Sequence, residues 1–288
     1  MTDFEFYQMT KTLVEKMADL RGISTTELNK YYSHTDQYCH FYRDLSGIPQ
    51  VFAQMVFHAQ NASRISSIVK FDRNYNFLKR ITYGFSPEEF LNHYPDEDTR
   101  VFDLVNVLRW DDQTNPDGIK WDSEKSEKKD AIAKRLAQSL FTCAEYLRQF
   151  HSKQEVLDDL MVPNPSTRAV INNFKSKINT GFGIALACDF LKEFDVYFEF
   201  LAKPDLHIKG VIGKLKNKVY NETDKSNITL VNDVQEITGN INAELRRRGE
   251  REITVYQLDR MIWLVCSENF FIPGHPNGTM KQVYISKL

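Results

Sequence analysis

The sequence predicts an all-α protein, and three observations carry the prediction. Nine stretches place apolar residues at i, i+3 and i+4, strand signals are few, and no strand–helix alternation marks a parallel sheet. In chain order the predicted helices are 5–20 (Phe6, Met9, Leu13, Met17), 49–69 (Phe52, Val56, Ala59), 87–93 (Pro87, Phe90, Leu91) and 127–150 (Ala133, Leu136, Leu140, Ala144, Leu147). They continue with 166–178 (Val170, Phe174, Ile178), 184–201 (Ile184, Ala187, Leu191, Phe194), 206–220 (Ile208, Val211, Leu215), 231–248 (Val234, Ile237, Ile241, Leu245) and 255–266 (Val255, Leu258, Ile262, Val265). Two segments read as extended: Asp98-Thr99-Arg100-Val101 with the apolar stretch that follows, and VYIS near the C-terminus. Breaks are expected at Asn115-Pro116-Asp117-Gly118, inside a charged loop over 110–129, at 162–165 just before a helix that Ser166 can cap, and at 272–276.

The chain has 288 residues, 42% hydrophobic and 26% charged, which is the composition of a soluble globular protein with a sizeable core. No run of about 18 apolar residues occurs, and MTDFEFYQ has neither a basic nor an apolar leader region, so a cytoplasmic protein without membrane partners is expected. Cys39, Cys143, Cys188 and Cys266 are scattered without a CxxC pair, which argues against a zinc ribbon, an iron–sulfur cluster or a disulfide framework. The net charge of -2 gives no overall pull toward nucleic acid, but the charge is unevenly distributed. Residues 86–117 hold nine carboxylates against two arginines, whereas 203–218 hold five lysines against Asp205 alone, so one face could meet phosphate while another repels it.

Several chemistries lack their motifs. Gly210-Val211-Ile212-Gly213-Lys214-Leu215 has neither the spacing nor the hydroxyl of a phosphate-binding loop, so no nucleotide cofactor is expected. There is no GxSxG elbow and no HExxH. His34, Asp36, Cys39 and His40 could supply metal ligands, but they fall at unmatched helical phases with no second cluster, so no metal and no other cofactor is expected.

Two features remain. Ile178-Asn179-Thr180-Gly181-Phe182-Gly183 joins two amphipathic helices; glycines at both positions would suit a tight hairpin with positive φ and a close backbone approach, with Phe182 turned into the core. The N–H groups opening the second helix would then face an anion, although a plain helix-ending glycine explains the same residues. Asp205 follows Gly183 by 22 residues, within Lys203-Pro204-Asp205-Leu206-His207-Ile208, where it can cap the next helix and stand at a mouth between helical lobes.

Together, Ile178, Gly181, Phe182, Gly183, Ala185, Ala187, Asp205, His207 and Ile208 resemble the helix-hairpin-helix DNA glycosylase superfamily over about 55 residues. Met55-Val56-Phe57-His58-Ala59-Gln60 is similar to an early helix of the same family. The resemblance implies one two-lobed helical domain over 1–288, with a hairpin-bearing lobe over about 50–200, a second lobe from 1–49 plus 201–288, and a cleft between them that Gln60 could line. It implies double-stranded DNA as the partner, with the backbone held by Gly181, Phe182, Gly183, Lys203, His207 and Lys209, and Asp205 as the general base or oxocarbenium stabiliser in base-excision repair. Ala185 stands where the family's bifunctional members carry a lysine that forms a Schiff base, so a monofunctional, hydrolytic glycosylase is implied. The family's four-cysteine iron–sulfur loop is missing, and Lys209-Gly210 follow the histidine where a more regular helix start is usual. Two alternatives stay open: a non-catalytic helix-hairpin-helix module that only binds DNA, and a helical scaffold for proteins.

Overall fold

A computed structural model describes residues 1–32, 44–61, 70–71, 73–109, 118–119, 126–267 and 284–288. The metal-ligand candidates His34, Asp36, Cys39 and His40, the turn at 115–117 and the break at 272–276 lie outside the described residues. Among the described residues the secondary structure is helical, with no strand and one isolated bridge between Arg109 and Ile119. None of these helices is long and apolar enough to cross a membrane.

The chain divides into two compact units. Unit 1 combines Met1–Gln37 with Leu191–Leu288, and unit 2 is Tyr38–Phe190. Unit 1 contains α1 (Asp3–Asp19) and α2 (Thr25–Tyr31). Unit 2 contains α3 (Gly47–Ala59), α4 (Tyr75–Ile81), α5 (Pro87–His93), α6 (Arg100–Leu108), α7 (Ser126–Leu147), α8 (Lys153–Leu160) and α9 (Thr167–Lys177). The chain leaves unit 2 within α10 (Ile184–Phe194), and unit 1 is completed by a 3-10 turn (Val196–Phe198), α11 (Leu206–Lys216), α12 (Asp224–Arg247) and α13 (Val255–Cys266).

Helix starts follow side-chain chemistry. Thr2 with Glu5, and Thr254 with Gln257, form reciprocal capping boxes, and Ser86, Ser152, Ser166 and Thr223 each accept from a first-turn N–H. Stops are equally local. Asp195 accepts the Tyr197 N–H at 2.9 Å and turns the chain into the 3-10 segment, so the predicted 184–201 helix ends at Phe194. Asn217 adopts φ 51° and ends α11 before the predicted Tyr220.

Both extended expectations are corrected. Arg100–Leu108 is helical because Leu104 and Leu108 recur one turn apart, and both are buried. Residues 284–286 form a helical turn whose Tyr284 is buried, its hydroxyl 2.8 Å from Thr10 Oγ1. The short helices α2, α4 and α8 lie outside the nine predicted stretches.

The core of unit 1 lies where α1, α11, α12 and α13 pack together around Phe6, Val14, Met17, Ile208, Val211, Val234, Ile237 and Ile262. In unit 2, α7 is the central element, packed by α3, α5 and α6. Its aromatic layer includes Phe52, Phe90 and Phe141, with the Phe90 and Phe141 rings stacked at 4.9 Å.

Candidate functional site

The hairpin belongs to unit 2. Ser166 Oγ caps α9 through the Ala169 N–H at 3.2 Å, and Ile178, fully buried, closes the helix. Gly181 has φ 87°, and a Cβ there would stand 2.5 Å from Ser139 Cβ on α7 and closer still to Ser139 Oγ. A side chain is therefore excluded twice, by backbone conformation and by space. Phe182 is buried, edge-on to Phe174 at 5.5 Å and to Phe190 at 6.3 Å, and this anchors the turn between α9 and α10. Gly183 is different: it is exposed, has no positive φ, and a Cβ on it would meet open space. The close approach expected of both glycines is therefore confined to Gly181, and what approaches it is the protein's own Ser139. The Gly183 carbonyl accepts the Leu186 and Ala187 N–H groups at 3.0 Å and so closes the first turn of α10.

Gln60, expected to line a cleft, is also in unit 2, where it is buried and its Oε1 accepts the Phe71 N–H at 2.9 Å. Beside it on α3, His58 Nδ1 lies 3.3 Å from Asp189 Oδ2 on α10, with Phe57 and Phe190 packed edge-on against the imidazole. His58 is 1% exposed, and among the described residues its Nε2 has no hydrogen-bond partner.

Asp205, Lys203, His207 and Lys209 all belong to unit 1. Asp205 is the N-cap of α11, its Oδ1 accepting the His207 N–H at 2.8 Å and the Ile208 N–H at 3.0 Å. Among the described residues nothing donates to Oδ2, and the residue is half-buried. One carboxylate oxygen thus fixes the rotamer and the other is left open. The Asp205 N–H donates to the Lys203 carbonyl at 2.8 Å, and Pro204 between them is buried, so the turn ahead of the cap is tightly made.

The lysine run that raised the local charge is largely engaged. Lys209 Nζ is 2.8 Å from Glu222, with its side chain only 8% exposed. Lys216 pairs with Glu236 at 3.2 Å, and Lys218 makes two 2.9 Å hydrogen bonds to Asp233. The Tyr220 hydroxyl donates to the same Asp233 at 2.5 Å, and burial together with that carboxylate pushes its ionisation well above the usual phenol range. The surplus seen along the chain is therefore matched by carboxylates of α12 and of the loop before it, leaving Lys214 as an exposed cation of α11.

Sequence reasoning missed a buried ionic cluster in unit 1. Lys192 on α10 and Asp259 on α13 form an ion pair whose side chains are 4% and 2% exposed. Next to it, Arg260 stands 3.8 Å from Glu193 and over the Trp263 ring at 5.2 Å, and the Tyr256 hydroxyl donates to Glu193 at 3.2 Å. Removing one member of a buried pair costs about 3–5 kcal/mol, because the other charge is stranded. The signal available was the pair Asp259-Arg260 set inside the otherwise apolar run Leu258 to Cys266.

Among the described residues, no three His, Cys, Asp or Glu side chains are grouped to hold a metal ion. Comparison with protein-family models, with curated proteins and with solved structures gives no match to this chain.

Proposed function

We propose that the protein is a hydrolytic DNA glycosylase acting on a flipped damaged or mismatched base, with Asp205 as its catalytic carboxylate. The observation that carries the reading is the division of labour within that carboxylate: Oδ1 is pinned by two backbone N–H groups while Oδ2 accepts no hydrogen bond among the described residues. A group so oriented is preorganised for a task at its second oxygen. In the proposed reaction, water adds to the anomeric carbon and the bond from that carbon to the base nitrogen breaks. The bonding electrons leave with the base, and Asp205 Oδ2 takes the proton of the water while its charge stabilises the cationic sugar. Ala185 offers no amine for a Schiff base, which favours hydrolysis over strand-cleaving chemistry. Gly181, Phe182 and Gly183 would meet the DNA backbone at the turn that leads into the N-terminus of α10, where the helix end favours an anion.

The test compares the wild type with Asp205→Asn on duplexes carrying uracil, alkylated purines, oxidised guanine or mismatches, each followed by alkali. Asparagine keeps a cap acceptor but not the base, so the variant binds duplex as the wild type does and releases base roughly 10²–10⁴-fold more slowly. Salt-sensitive binding with no abasic product from either protein would instead identify a binding module in which Asp205 is a cap alone.

A further inference from the structure

We propose that Asp259 is a positioning residue for Asp205, acting through the backbone of Lys203; the inference rests on the role given to Asp205 above. Asp259 Oδ2 faces two donors in the interior of unit 1, the Lys192 ammonium from α10 and the Lys203 backbone N–H at 3.4 Å. From there the connection is short. The Lys203 carbonyl accepts the Asp205 N–H at 2.8 Å, and Asp205 Oδ1 accepts the His207 and Ile208 N–H groups. The turn ahead of α11 is thus tied at one end to a buried carboxylate of α13 and at the other to its own helix. α13 grips the same stretch of chain upstream as well, through the Tyr256 N–H on the Glu199 carbonyl at 2.9 Å.

The chemistry of the tie bears on its purpose. A buried ion pair can often be replaced by well-packed apolar residues without loss of stability, and Asp259 is flanked along its helix by buried Leu258, Met261 and Ile262. A charged acceptor holds a backbone N–H more firmly than a neutral one. Lys192 holds that acceptor in place.

The experiment uses the full chain and two double variants that remove the buried cation together with the anion, so that no charge is stranded: Lys192→Met with Asp259→Asn, and Lys192→Met with Asp259→Leu. Three quantities are read: amide exchange at Lys203 and Asp205, single-turnover base release, and affinity for the same duplex. The asparagine variant, which retains an acceptor, keeps Lys203 protected and releases base within about threefold of the wild type. The leucine variant loses that protection and slows about 10- to 100-fold at unchanged affinity and melting temperature, the scale expected for an approximately 1 Å misplacement of a catalytic group. A cooperatively folded leucine variant with wild-type exchange and rate would overturn the proposal, as would an equal loss in both variants. Exchange at the free-loop rate for Lys203 in the wild type would overturn it with no variant at all. If the wild type releases no base while the exchange pattern is as expected, the assignment of catalysis to Asp205 fails and the tie through Asp259 stands.

Discussion

Replacing Gly181 by alanine is the sharpest perturbation of the hairpin, because two independent penalties meet at one Cβ. The residue has φ 87°, where an L side chain costs about 1–2 kcal/mol. The new methyl would also lie 2.5 Å from Ser139 Cβ and 3.2 Å from Ser139 Cα, so α7 and the turn must separate, an overpacking cost of about 1–3 kcal/mol. The sum, about 2–5 kcal/mol, is a large part of the roughly 5–15 kcal/mol that holds an ordinary domain folded. Ser139→Gly removes both Cβ and Oγ from the contact at a cost of about 1 kcal/mol for glycine inside α7. In the double variant the overlap is mostly relieved and the φ penalty stays, so the two changes together cost about 2–3 kcal/mol, less than the sum of the singles. The assay is urea unfolding followed by circular dichroism for the four proteins of the cycle, with the slope checked for constancy. Gly181→Ala within about 0.5 kcal/mol of the wild type, or strictly additive changes, would refute both the close approach and the argument built on it.

Three further outcomes are expected. Phe182→Ala, which empties the site between Phe174 and Phe190, destabilises by about 3–5 kcal/mol in the same unfolding assay, and a loss under 1 kcal/mol would mean the turn is not anchored there. Cys143, Cys188 and Cys266 are buried, and burial pushes the Cys143 thiol well above its usual range, so these three stay unlabelled by iodoacetamide at neutral pH until urea unfolds the chain; rapid native labelling of any of them, read by mass spectrometry, would contradict the packing. Glu199 is held above the usual carboxylate range by burial and then by Asp195, so the folded state keeps its proton longer than the unfolded chain. Its contribution is present below the ordinary glutamate value and is lost as pH rises through the raised one. Glu199→Gln should therefore match the wild type at pH 3.5 and unfold at higher urea at pH 7, and a variant weaker at pH 7 would reverse the sign.

The amino-acid sequence by itself determined the helical class and many of the helix ends, since both depend on residues within one or two turns. Phe6, Leu13 and Met17 mark α1 by spacing alone, and Ser166 announces α9 by chemistry that reaches no farther than three residues. The same locality marked Asp205 as a cap, and its Oδ1 performs that task. Asp195 and Asn217, which end helices earlier than periodicity predicts, show where a single polar side chain or a left-handed residue outweighs a continuing apolar pattern.

Tertiary structure decided which charges are matched and which glycine is crowded. Lys218 looked like part of a basic face because its neighbours in sequence are lysines, yet its partner, Asp233, is 15 residues away on α12. Ser139 crowds Gly181 from another helix, Asp189 reaches His58 across 131 residues, and Lys192 meets Asp259 across 67. Such pairings have no periodic signature, because Coulomb attraction and steric exclusion act through space over a few ångströms and are indifferent to separation along the chain. Periodicity records which side of a helix is buried; only the packed helices decide what that side is buried against.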